Sequence, residues 1–122
     1  MEAIINDYVE AYNNFDVSGM VRHLDDSIVF QNVSEGEVTM ELEGIEAFKL
    51  QAEQATILFK SRKQTINHIQ ITDNTAEVTI DYFGVLAQDL PNGLKAGDTI
   101  QLQGKSVFSI KGDKIVKLLD ES

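Results

Sequence analysis

The second half of the chain constrains the fold most. From residue 64 to residue 120 it offers strand-prone segments separated by turns, with no helical period between them. Residues 64–72 end at Asp73-Asn74, and a run from 75 to about 88 leads to Pro91-Asn92-Gly93. Residues 98–110 then meet 114–120 across the tight turn Lys111-Gly112-Asp113. Strands joined this closely pair with their sequence neighbours, which predicts a four-stranded antiparallel meander. Such a sheet needs a cover for its apolar face, and only the first half of the chain can supply it.

That first half is helical where it needs to be. Ile4, Tyr8, Tyr12 and Phe15 recur at helical spacing, with Ile5 and Val9 widening the stripe, which predicts an amphipathic helix over about residues 2–15. Asp16 reads as the N-cap of a short second helix carrying Val17, Met20, Val21 and Leu24 on one face. Residues 27–33 and 37–42 read as strands. Gly44 breaks the pattern, and Ile45, Phe48, Ala52, Ala55 and Phe59 then mark a third helix of about sixteen residues. The expectation is one α+β domain, residues 1–122, with helices on one face of a single sheet. Gly84 and Gly104, inside long strands, are expected to mark bulges that bend it.

Composition narrows the function classes. The net charge is −10, and residues 1–59 hold twelve acids against only Arg22 and Lys49. Nucleic-acid binding needs cations that this chain does not have to spare. An acidic half serves solubility in the commoner case, and where it bears on a ligand it disfavours anionic ones and favours neutral ones. No cysteine is present, so disulfides, thiolate nucleophiles and zinc–thiolate sites are excluded. No apolar run approaches the roughly 18 residues of a membrane span, and no secretory signal opens the sequence, so a cytoplasmic protein without membrane partners is expected. The two histidines, His23 and His68, stand 45 positions apart without a ligand-spaced partner. No glycine-rich phosphate loop leads into a helix, so the expected cofactor set is empty.

Several local strings, in this order, resemble the nuclear transport factor 2-like superfamily, in its SnoaL-like and ketosteroid-isomerase-like branch. They are Tyr8-Val9-Glu10-Ala11-Tyr12, Phe15-Asp16, Leu24-Asp25-Asp26-Ser27-Ile28-Val29-Phe30, Glu43-Gly44-Ile45-Glu46-Ala47-Phe48, and the closing stretch from Phe108 to Val116. The resemblance spans nearly the whole chain. It implies a curved, cone-like sheet of the cystatin-like kind, covered by three N-terminal helices, with an apolar pocket inside. It also implies a homodimer paired through the outer sheet face. Gln101, Gln103 and Lys105 form a polar set that fits either that interface or plain solvent.

The resemblance can be tested role by role. Aligned on Asp16 and Asp26, it puts Tyr8 at the isomerases' hydroxyl-donor position, the general base at Gln31 and a second donor near Ser106. Glutamine does not ionise and serine is no carboxylic acid, so steroid-type isomerisation by that route is not expected. The SnoaL-like cyclases place their acid/base aspartate in the last strand, where this chain has Asp120. Leu119 and Leu118 stand where the family usually carries an aromatic residue and a histidine.

Alternation puts Asp120 in line with Leu118 and Val116, and His68 in line with Ile66 and Gln70. The resemblance implies Asp120 as base and Tyr8 as donor; His68 is a second base if its face is concave, and otherwise a surface strand residue. Tyr12, Met20, Phe30, Gln31, Phe48 and Ser106 are the expected pocket residues. The expected function is a pocket for a small neutral, largely apolar molecule, with isomerase, cyclase or dehydratase-type proton transfer. The alternative is a non-catalytic dimeric module whose cone is filled by its own side chains.

Overall fold

The computed structural model describes all residues, Met1–Ser122. Helix α1 (Glu2–Asn13) is followed by the single-turn α2 (Val17–Val21), then by the hairpin β1 (Leu24–Ser34) and β2 (Glu37–Glu43). Helix α3 (Ile45–Leu58) runs into β3 (Phe59–Thr72) without a loop, and β4 (Thr75–Leu86), β5 (Thr99–Lys111) and β6 (Lys114–Glu121) complete the chain. The fold is α+β, with one curved, unclosed six-stranded sheet and the helices against it.

Local chemistry accounts for most of these boundaries. Helix α1 stops at Asn13, earlier than its stripe suggests, because Phe15 takes a left-handed φ of 57° that turns the chain. Asp16 then caps α2 as expected, its carboxylate accepting from the Gly19 N–H at 3.0 Å. Gly44, at φ 90°, redirects the backbone from β2 into α3 and donates its N–H to the Ile28 carbonyl at 2.7 Å.

The strand order is β2-β1-β6-β5-β4-β3. Strands β3 to β6 form the expected meander, and β6 also pairs with β1 in parallel. The last strand is thus central, and through it the β1–β2 hairpin joins the sheet. The core lies between sheet and helices, with Ile5, Tyr8, Met20 and Phe48 packed on Ile28, Val78, Phe108 and Leu118.

Register shifts interrupt the ladders at Asn32/Val33, Phe59/Ser61, Ile66/His68 and Ser109/Ile110. Irregularities of this kind bend a strand, and none of them falls at the two glycines. Gly84 and Gly104 sit in an unbroken β4–β5 register. They mark close approaches instead: a Cβ at 104 would lie 2.8 Å from the Glu121 carbonyl oxygen, and one at 84 would lie 2.9 Å from the Phe59 ring. The shift at Ser109/Ile110 also makes Ile115, and not Val116, the buried companion of Leu118.

Candidate functional site

The site is built on one row across three strands. Asp120 in β6 is the register partner of Ser106 in β5 and of Asn32 in β1. Partners directly opposite in a sheet project to the same face, so Ser106 and Asn32 flank Asp120 on the helix side. The Ser106 hydroxyl donates to the Asp120 Oδ1 at 2.6 Å. No lysine, arginine or histidine forms an ion pair with this carboxylate.

Two hollows meet at this row. The helix-side lobe, of about 210 Å³, has Tyr8, Met20, Phe30 and Phe48 among its walls. The sheet-side lobe, of about 280 Å³, runs past Ile80, Tyr82, Leu102 and Ser106. Asp120, Asn32 and Tyr12 line both. Mainly apolar walls with a few convergent polar groups are the usual make-up of a small-molecule site.

The electrostatics follow from burial. Withdrawal from water pushes the Asp120 carboxyl up to about 6, and the Ser106 hydrogen bond opposes that rise only in part. Burial raises the Tyr8 phenol well above its ordinary range, and the nearby Asp120 charge raises it further. Tyr8 therefore keeps its proton at any working pH, so it can serve as a hydrogen-bond donor and not as a base. Its ring packs edge-on against Phe108, with centroids 5.7 Å apart, and this fixes its direction. Tyr12 has its hydroxyl engaged, donating to the Tyr82 hydroxyl at 3.0 Å.

Of the residues expected from sequence, Asp120, Tyr8, Tyr12, Met20, Phe30, Phe48 and Ser106 come together around the two lobes. Two do not. His68 is exposed and lines neither lobe, because the irregularity at Ile66/His68 reverses the strand's phase. Ile66 and Ile69 face the core, and His68 turns to solvent beside Thr79. Gln31 points away from the lobes and donates to the Glu41 carboxylate at 2.7 Å. Asn32 takes the lining position, since neighbouring residues of a strand face opposite ways and Phe30 already faces inward.

Sequence reading also missed Arg62, which lies in the wall of the helix-side lobe. Its run, Lys60-Ser61-Arg62-Lys63, looks like a solvated surface segment. The usable signal was phase: Arg62 and Gln64 are spaced by two from Ile66, which packs on the core.

A model of the SnoaL-like domain family matches residues 5–118, ending two positions short of Asp120. No curated protein matches the chain in sequence. Among solved structures, a candidate polyketide cyclase from Xanthomonas campestris pv. campestris superposes with a TM-score of 0.80 at 18% identity, covering 99% of this chain and 88% of that one. An uncharacterised cystatin-fold protein from Novosphingobium aromaticivorans gives 0.78 at 18% identity, over 97% and 94% of the two chains. A protein of ketosteroid isomerase-like fold from Catenulispora acidiphila, solved with trimethylamine, gives 0.78 at 11% identity, over 96% and 82%. At such identities the likeness is one of fold.

Proposed function

Since the chain belongs to the SnoaL-like domain family, we propose that its cavity binds a small, largely apolar molecule and moves a proton on it, with Asp120 as the base. The observation that carries this reading is a carboxylate set in an apolar wall, held by Ser106 and left without a cation. A carboxyl pushed up to about 6 is a stronger base than a solvated aspartate and is still ionised at neutral pH. It would take a proton from carbon next to a carbonyl. The Tyr8 hydroxyl, which has no protein hydrogen-bond partner, would donate to the oxygen on which charge develops. The structural neighbour described as a candidate polyketide cyclase is compatible with chemistry of this class. The two hollows favour this reading over a cone filled by its own side chains.

Exchange of the α-protons of 1-tetralone in D2O, followed by proton NMR, tests it. Protein-dependent exchange is expected, rising with pH through about 6 and flat above, because only the ionised carboxylate accepts a proton. Tyr8→Phe should lower the rate by roughly a hundredfold, the usual scale for losing one oxyanion donor. Exchange that is absent in the wild type, or that survives in Asp120→Asn, would sink the assignment.

The outer sheet face is proposed as the contact between two copies of the chain. Phe83 stands 45% exposed there, beside Asp81 and Gln101. Sedimentation should find a dimer, and Phe83→Glu should shift it to monomer. A wild-type monomer at micromolar concentration refutes the proposal.

A further inference from the structure

Arg62 is the one basic side chain buried in this protein, at 5% exposure, and its surroundings leave it incompletely served. Its Nε donates to the Tyr12 carbonyl at 3.0 Å, at the end of α1. Its Nη2 is buried with no hydrogen-bond partner, and the guanidinium forms no ion pair with any carboxylate. A buried cation without counter-charge or full hydrogen bonding is strongly disfavoured, so a guanidinium kept in this state calls for a further group that completes its set.

The protein holds the group in place by means that leave Nη2 without a partner. The guanidinium carbon lies 3.7 Å from the Tyr12 ring centroid and 4.7 Å from that of Phe15. Phe15 reaches it from a left-handed backbone, φ 57°, a strained conformation for an aromatic residue. A purely structural clamp between α1 and β3 is already present next door. Asn13 donates to the Gln64 carbonyl at 3.0 Å and accepts from its N–H at 2.7 Å. Arg62 needs only its Nε to add to that clamp.

We propose that Arg62 is the docking point for a carboxylate carried by an otherwise apolar ligand in the helix-side lobe. This rests on the reading of that lobe as a binding site and replaces the neutral ligand expected from the acidic composition. A planar carboxylate matches the guanidinium geometry, and a turn of the side chain toward the lobe would present the orphaned Nη2 to it. The other walls, Met20, Phe30 and Phe48, supply apolar area, and the lobe holds no second cation. A singly charged group is therefore accommodated, while a phosphate would bring further charge toward Asp120. The net charge of −10 repels anions at long range, but salt screens that field beyond about 8 Å, whereas the contact with Arg62 is local and desolvated.

Titration calorimetry with 2-naphthoate and its neutral analogue 2-naphthamide separates this from the binding reading itself. The wild type should bind the carboxylate at least about tenfold more tightly than the amide, the scale of one charge-assisted pair. Arg62→Gln should remove that preference, while Arg62→Lys should retain part of it. Amide binding with no carboxylate preference in the wild type overturns the docking role and leaves the lobe a binding site. No binding of either compound overturns both. The wild-type comparison decides the question even where a variant folds poorly.

Discussion

Asp120→Asn should raise the melting temperature at pH 8 by roughly 5–10 °C while abolishing proton transfer. The native carboxyl sits at about 6 and its ordinary value is 3.8. Between those values the folded protein keeps a proton that the unfolded chain has released. Stability therefore falls as pH rises through the window, and the loss is complete above about 6. That loss is on the order of 3 kcal/mol before the cavity's own hydration reduces it. Asparagine has the same shape, still accepts from Ser106 and carries no charge, so the variant avoids the cost. The gain should shrink between pH 7 and pH 4 and vanish below about 4, where both proteins hold a neutral group. Thermal melts of both proteins across pH 4–8 check this. Equal melting temperatures at pH 8 would mean that Asp120 is well solvated, and the case for it as a tuned base would go with them.

A carboxylate that costs stability, as those melts should show for Asp120, is what a proton-transfer group looks like in energetic outline, and the sequence shows it only in part. The elements set by local chemistry were readable: the α1 stripe, the Asp16 cap, the Gly44 start of α3 and the closing turn at Gly112. Asp120 was readable through the resemblance to the SnoaL-like cyclases, whose aspartate follows that turn, with its alternation with Leu118 as support. The misplaced residues share one cause, which is phase. His68 and Val116 were each placed by strict alternation across a register irregularity that sequence does not announce. Gln31 and Phe30 were both expected in the pocket, although adjacent strand residues cannot face the same way. The parallel pairing of β1 with β6 joins residues nearly ninety positions apart, as in Asn32 with Asp120, and no local pattern reports it. Arg62 stayed hidden because burial of a cation beneath two aromatic rings depends on where α1 lands on β3.

The largest loss of stability is expected at Phe108. It is 1% exposed, and its register partners on either side, Ala76 and Leu118, are fully buried. Above it lies the edge of Tyr8, at an interplanar angle of 76°. Truncation to alanine opens a void that flanking strands cannot close, so Phe108→Ala should cost about 3–5 kcal/mol. In a domain whose whole stability is about 5–15 kcal/mol, that lowers the melting temperature by on the order of 10–20 °C. Phe108→Leu keeps most of the volume and should cost less than about 1.5 kcal/mol. It nevertheless removes the ring that directs Tyr8, so its exchange rate should fall further than its stability does. Phe83, exposed on the opposite face, serves as the control, and in the monomer Phe83→Ala should stay within about 0.5 kcal/mol of wild type. Urea unfolding of the three variants, run dilute enough that each is monomeric, measures the contrast. Comparable losses at Phe108 and Phe83 would mean that the sheet faces are assigned wrongly, and that Ser106, two residues before Phe108 on the same strand, does not share a cavity with Asp120.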